Sequence, residues 1–377
     1  MKKTLIILLA SNLDSRGGGR ETWIGNFLND HDILKLYDSI IVLGSEITIS
    51  NKEVVFPRKI KVVKDKYRNK SYLPGIIYYA IFVRKQLRTL YRTTASYDVI
   101  SCGSWGESIS LYYSSFFRKK NVRSICWLRS IMVKELARIY PKYILNLCEI
   151  LEVYILKKYK FIIANGSDTS KYYVDKKVDN LTIANGIHTS DFIINNSTDV
   201  KCQFIGRTSV EKGILHLAKA IRVLNMEDCL KDITFSIIGD GPKTKEIKEL
   251  AIDIDGLTYM GALGPKEVKC ELAQANISFH LTLSKDIGGG GVSHSLLEAM
   301  ASGQRIVCWD NDIFNQVIGS ELFFKAKEGD VESLVEQLKL AIINCREDPF
   351  EYPKKMNEYS RNYDFSVHVE KYCNLVR

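Results

Sequence analysis

The stretch SKDIGGGGVSHSLLEAMASG, Ser284 to Gly303, sets four consecutive glycines directly before an apolar helical pattern that carries one acid, Glu298. A glycine run costs more conformational entropy than any other sequence of its length, so a fold keeps one for a tight turn, a hinge or a ligand that must approach the backbone. NISFHLTLS before it reads as a strand; HSLLEAM after it reads as a helix, with Leu297, Met300 and Ala301 on one face and Gly303 as the C-terminal stop. The glycines then form a strand-to-helix loop whose free amides suit a phosphate. FIGRTSVEKG puts Arg207 and Lys212 on the loop after another strand, at the same carboxyl edge. Two cations facing a nest of amides describe a diphosphate clamp. Glu298, one turn into its helix, can accept hydrogen bonds from both hydroxyls of a ribose. GGGRETW, after the opening strand, supplies a second glycine loop containing Gly18 and Gly19.

Such loops need strands to carry them. The first half alternates TLIILLA, SIIVLG, KIKVV, YDVISCG, VRSICWL and KFIIANG with helical patterns; the second repeats the rhythm with KCQFIG, ITFSIIGDG, LTYMGAL, NISFHLTLS, RIVCWD and ELFFKA. Short, continuously apolar runs are strands buried on both faces, so the pattern predicts two doubly wound parallel α/β units. The polar segment VDNLTIANGIHTSDFIINNSTDV is the natural linker. Domains are expected at 1–183 and 184–354, with a C-terminal helix in 355–377 packing back on the first. Ligands of such sheets sit at the carboxyl ends of strands, so two facing units would bind in the cleft between them.

A chain of 377 residues, 46% hydrophobic and 26% charged, buries a large core and is not disordered. Its opening, MKKTLIILLASNLDSRGGG, mimics a signal peptide, but the apolar run is strand-length and no small-x-small cleavage site follows. The longest later apolar run, Leu73 to Val83, is far short of the roughly 20 residues of a spanning helix. Nine cysteines, with no C-x-x-C pair, read as buried free thiols of a reducing cytoplasm. Residues 1–180 hold 31 Lys and Arg against 16 Asp and Glu, a net of +15, which leaves the rest at −6. Within that half, Arg58 to Arg92 carries eleven basic residues and one acid, Asp65, interleaved with Tyr72, Tyr78, Tyr79 and Phe82. A basic, aromatic surface suits an anionic membrane; the negative second half disfavours wrapping a nucleic acid.

In these motifs the sequence resembles the retaining, nucleotide-sugar-dependent glycosyltransferases of family 4, with the GT-B fold. ANGIHTSDF, FIGRTSVEKG, IIGDGP, YMGAL, LLEAMASG and FSVHVEKY look like family blocks in the expected order, most strongly from Asn185 to Gly319. The resemblance implies that Arg207 and Lys212 hold the donor diphosphate and offset charge on the leaving group, with Glu298 on the ribose as the third member of the catalytic set. It implies donor contacts from Gly206, from the backbone near Met260 to the nucleobase, and from Gly289, Gly290, Gly291, Val292 and Ser293 to phosphate and sugar. It implies no cofactor beyond the nucleoside diphosphate sugar and no metal. Two positions depart from the family. Gly290 stands where a second Glu usually contacts the donor sugar, and Asp286 is the nearest acid. After SICWL the family often has a His, whereas this chain has Arg129 and Ser130, which with Trp105 are the acceptor-side candidates. The acceptor implied is a glycan, lipid-linked, in bacterial surface polysaccharide or glycoconjugate synthesis, at the inner face of the cell membrane.

Other chemistries fit less well. GVSHS lacks the last glycine of a serine-hydrolase elbow. GGGRET ends in Thr where a dinucleotide fingerprint needs Gly. The D-x-D triplets at Asp30, Asp253 and Asp310 sit in different units and read as solvated loops or helix ends, so no metal is implied. A sugar-nucleotide epimerase, a phosphorylase of the same fold, or an inactive nucleotide-sugar-binding relative are the alternatives.

Overall fold

The computed structural model describes residues 2–10, 19–44, 60–64, 73–91, 94–102, 105–136, 140–195, 197–226, 232–254, 256–284 and 292–377. Among them, the first sheet contains β1 (Lys2–Leu9), β2 (Ser39–Gly44), β3 (Ile60–Lys64), β4 (Ala95–Ser101), β5 (Val122–Leu128), β6 (Phe161–Ala164) and β7 (Leu181–Thr182), in the order β3-β2-β1-β4-β5-β6-β7. The second contains β8 (Val200–Ile205), β9 (Ile233–Ile238), β10 (Leu257–Gly261), β11 (Ile277–His280), β12 (Arg305–Asp310) and β13 (Phe324–Lys327), in the order β10-β9-β8-β11-β12-β13. Neighbouring strands pair in parallel in both sheets. Each sheet starts at its centre, winds to one edge, and returns to wind the other way. The reversal falls between β1 and β4 in one sheet and between β8 and β11 in the other, the switch points where such sheets bind ligands.

The apolar opening of the chain is β1: Leu5 to Leu9 are wholly buried between β2 and β4. Strands differ from the sequence-based expectation in three places. The segment expected as linker contributes β7, too short and polar to announce itself. β11 stops at His280, because the next three residues give their backbone groups to the Trp309 indole, the Asn311 amide and the Glu211 carbonyl. The run ELFFKA starts as a 3₁₀ turn, Ser320–Leu322, and only then becomes β13.

The chain divides into two compact units, one running up to Asn185 and regaining the chain at His368–Arg377, the other lying between Gly186 and Val367. The helix Glu351–Ser360 stays with the second unit, donating from Asn357 Nδ2 to Ala301 O, so the return to the first unit begins at His368 rather than at 355.

That return completes the first unit's core. The Trp23 indole N–H donates to His368 Nε2 at 2.8 Å, and His368 Nδ1 lies 2.7 Å from Ala184 O. Because Nε2 accepts, the imidazole proton sits on Nδ1 and the ring is neutral; burial pushes its pKa down to about 3. Trp127 stacks on His368 at 5.1 Å and on Tyr372 at 5.6 Å. Beside this cluster, buried Asp98 on β4 accepts two bonds from Arg123, at 2.6 and 2.8 Å, and one from Tyr37 at 2.6 Å. Lys3 lies 3.5 Å from the same carboxylate, and Tyr37 in turn meets Tyr372 at 2.7 Å. Of the described cysteines, all are free; Cys148 is half-buried, Cys270 exposed and the others buried. No helix of the described residues is long and apolar enough to cross a membrane.

Candidate functional site

Arg207 and Lys212 follow β8, at the second sheet's switch point. β8 ends at Ile205, and the chain runs through Gly206, exposed Arg207 and buried Thr208 and Ser209 into the 3₁₀ turn Val210–Lys212. Gly213 then takes φ +70°, and a Cβ there would stand 2.2 Å from the carbonyl oxygen of Leu281. Glycine at that position lets the β8 loop lie directly on the residue that follows β11. The contact is closed by Leu283 N–H donating to Glu211 O at 3.0 Å and by Lys212 Nζ donating to Thr282 Oγ1 at 3.3 Å.

Burial lowers the Lys212 pKa, with the Glu211 charge opposing the shift. A cation held in a desolvated place is stabilised by any anion brought to it. The neighbouring His280 is buried at the end of β11, within 3.1 Å of Ser278 Oγ, and is pushed down to about 3 by burial first and the Lys212 charge second. It is neutral at physiological pH and cannot serve as a base with an ordinary histidine pKa.

The other strand ends of this unit lie along the same edge. Thr208 N–H donates to Asp240 O after β9, and Lys243 N–H donates back to Thr208 O at 2.9 Å. Gly239, with φ +128°, would drive a Cβ to 1.9 Å from Gly206 O, so IIGDGP needs glycine for loop packing as well as for any ligand. Tyr259 OH donates to Gly239 O, which ties β10 and half-buried Met260 to this edge. Beyond β11, buried Val292 leads to Ser293, which caps the helix His294–Ala301 by accepting from Leu296 N. Half-buried Glu298 lies on that helix; burial pushes its carboxyl up to about 7 against the pull of the Lys269 charge.

Gly18, Asp286, Gly289, Gly290 and Gly291 lie outside the described residues. Gly19 opens the helix Gly19–Asn29 in the first unit. Arg129 and Ser130 follow β5, both half-buried, and the Arg129 guanidinium lies 5.0 Å from the centroid of the Trp23 ring. Trp105 starts the helix Trp105–Ser114 and packs in an apolar cluster with Ile76, Leu128 and Met132.

Sequence reasoning missed two carboxylates. Glu328 accepts from Ser284 N–H at 3.1 Å, from Ser284 Oγ at 2.9 Å and from Asn311 Nδ2 at 2.6 Å, while Asn311 also donates to Thr282 O. It thereby holds Ser284, which precedes the glycine run in the sequence by four residues. Glu107, fully buried at the first sheet's switch point, accepts from Ala10 N–H at 2.7 Å just after β1. Neither acid belongs to a recognisable spacing; only the fold brings it to its partner.

Residues 199–344, less than half of the chain, match the family described as "Glycosyl transferases group 1". A stretch of 110 residues is 29% identical to the 2-deoxystreptamine glucosyltransferase of Streptomyces kanamyceticus, covering 28% of this chain; it spans only about a quarter of that relative, 26% of its length. Over nearly its whole length the chain superposes on sucrose-phosphate synthase from Thermosynechococcus elongatus, with a TM-score of 0.77, 12% identity, and coverage of 99% of this chain and 98% of that one. HepE from Anabaena, solved in complex with UDP, matches with a TM-score of 0.71 at 14% identity, covering 100% of this chain and 99% of the other. The chain thus has the two-sheet GT-B fold and, through its second half, resembles the nucleotide-sugar glycosyltransferases.

Proposed function

We propose that the protein is a retaining glycosyltransferase of family 4, which moves a sugar from a nucleoside diphosphate sugar to a hydroxyl of a glycan acceptor without a metal. The observation that carries this reading is the desolvated cation Lys212 at the second sheet's switch point, on one loop with Arg207 and linked to the strand end that leads into the glycine run. In the reaction the bond from the anomeric carbon to phosphate breaks and a bond from that carbon to the acceptor oxygen forms on the same face. The leaving phosphate takes the acceptor proton, so the chain needs no strong base of its own. Arg207 and Lys212 offset charge as it grows on the diphosphate. The second domain holds the donor; the first holds the acceptor near Arg129 and Ser130. HepE, a fold neighbour, is solved with UDP-glucose, which makes uridine donors the first to try.

Proton NMR of the product tests the stereochemistry: from an α-linked donor the new linkage is expected to be α, in the presence of EDTA as in its absence. A β product, or activity lost to EDTA, overturns retention or metal independence respectively.

Glu298 gives the reading a pH signature. Its raised carboxyl keeps a proton in the folded chain that the unfolded chain has lost, so between its ordinary value of 4.5 and about 7 its contribution to stability falls as pH rises, and is flat above. Ribose hydroxyls donate to the ionised form. UDP affinity is therefore expected to climb with pH and level off above about 7, standing about tenfold below the plateau one unit under that pKa. Calorimetry of the parent and of Glu298→Gln checks this; a parent whose affinity ignores pH removes Glu298 from the ribose.

The acceptor in this reading is lipid-linked and the enzyme works peripherally on the cytoplasmic face of a bacterial membrane, making surface polysaccharide or glycoconjugate. The +15 charge of residues 1–180 supports it, since each Lys or Arg near an anionic surface contributes about 1 kcal/mol. Of the basic stretch Arg58 to Arg92, Lys61 and Lys64 lie on β3, whereas Lys66, Arg68 and Lys70 fall outside the described residues. Tyr79, expected on the basic surface, is core: it is wholly buried and donates to Leu43 O.

A further inference from the structure

The helix Lys142–Leu156 has two faces. Glu152, Ile155 and Leu156 are buried in the first unit. Tyr143, Leu147 and Ile150 are 73%, 68% and 69% exposed, and Tyr154 is half exposed. These four positions recur at helical spacing and form one continuous stripe, with exposed Leu151 beside it. Scattered surface leucines need no explanation; a contiguous apolar ridge does.

The ridge continues across neighbouring helices. The Tyr154 ring lies 5.9 Å from that of Tyr112 on the helix Trp105–Ser114. The next residue, exposed Tyr113, is covered by the Arg84 guanidinium at 4.6 Å. Arg84 belongs to the helix Leu73–Leu90, which packs on Trp105–Ser114 and whose exposed Ile77 and Ile81 fall on the same helical stripe as Arg84.

Charge decides what this surface fits. Lys142 stands at one end of the Lys142–Leu156 helix and Lys157 and Lys158 at the other, all exposed, with Lys158 4.7 Å from the centroid of the Tyr154 ring. Exposed Lys85 and Arg88 rim the far side. The helix Leu73–Leu90 contains no acid. On Lys142–Leu156, Glu149 is bound by Lys176 at 2.8 Å and Glu152 is buried with Tyr173; Glu107 on the middle helix is buried too. A protein interface is depleted of lysine at its core, whereas an apolar ridge with a basic rim and no exposed acid on its three helices matches an anionic headgroup layer over acyl chains.

We propose that the outer face of the Lys142–Leu156 helix is the surface that enters an anionic bilayer, with Tyr143, Leu147, Ile150 and Tyr154 at the boundary of headgroups and acyl chains. This rests on the membrane-facing reading above, and it moves the apolar part of the contact from the Arg58–Arg92 stretch to a helix that composition did not mark.

The experiment is co-sedimentation of the full chain with vesicles of phosphatidylcholine alone and of phosphatidylcholine mixed with phosphatidylglycerol. The variants are Leu147→Gln/Ile150→Gln and, separately, Lys61→Gln/Lys64→Gln. UDP binding and thermal unfolding are read on the same samples. The parent is expected on mixed vesicles, less so as salt rises; the ridge variant is expected to lose about tenfold in partition, because two exposed branched side chains no longer leave water. Its unfolding temperature and UDP affinity stay at the parent's, since exposed positions carry little of the fold. A ridge variant that sediments like the parent overturns the proposal and leaves membrane docking to other residues. A parent that ignores vesicles overturns both, and if it forms a dimer that the ridge variant dissociates, the face is a self-interface. UDP binding reports on the transferase reading independently of all three results.

Discussion

Lys212→Ala is expected to bind acceptor as before and to turn over roughly a hundredfold to a thousandfold more slowly, the usual effect of removing one preorganised group aimed at developing charge, about 2.7–4 kcal/mol. Arg207→Ala is expected to fall in the same range. The two differ in what else changes. Arg207 is exposed, so its loss leaves the free protein as stable as before. Lys212 is desolvated, and its Nζ donates to a neutral hydroxyl, Thr282 Oγ1. Removing a cation that burial disfavours is expected to leave thermal stability unchanged or slightly raised while activity collapses. Steady-state kinetics beside thermal unfolding make the distinction: parent-like turnover removes Lys212 from the mechanism, and a large fall in unfolding temperature shows it to be a structural cation.

The second large effect lies far from chemistry. Asp98→Ala strips the shared acceptor from Arg123 and Tyr37 and leaves Lys3 facing a second cation. Breaking a buried pair by removing one partner costs about 3–5 kcal/mol; Arg123 and Lys3 are partly exposed, so solvent screens the charges left behind and the loss is expected near the lower end of that range. Asp98→Asn keeps an acceptor and is expected to cost less. Denaturant unfolding measures both. Equal, small losses for the two would mean that Arg123 simply turns to solvent.

Strands such as VRSICWL and RIVCWD coincide with β5 and β12 to the residue, because a strand buried on both faces is largely apolar; their arginines, Arg123 and Arg305, have partners across the fold in Asp98 and Asn344. NISFHLTLS was readable only up to His280. Its later residues keep the strand composition, but their carbonyls are taken by the Trp309 indole and the Asn311 amide, partners about 28 residues away in sequence that no local pattern contains. Arg207, Lys212 and Glu298 could be singled out because each stands in a short motif; the structure places the first two after β8 and the third on the helix His294–Ala301. Glu328, Glu107 and Asp98 were not: each is a lone acid in ordinary surroundings, such as SYDVISCG, given its role by a contact across the fold. Tyr79 shows the opposite failure: counted with the basic stretch Arg58 to Arg92 it reads as surface, but it sits in the apolar run Leu73 to Val83 and is core.

The ten residues from His368 onward bear on how the protein is made. Trp23 waits 345 residues for His368, and Tyr37 waits 335 for Tyr372. At a ribosomal rate of about 5–20 residues per second, the nascent first unit spends roughly ten seconds to a minute with Trp23 and Trp127 uncovered while the second unit emerges and can close on itself. A fragment ended at Asn185 would carry the same exposed rings permanently, and would be a substrate for chaperones rather than a domain. In this chain the half that is synthesised first is the half that finishes folding last.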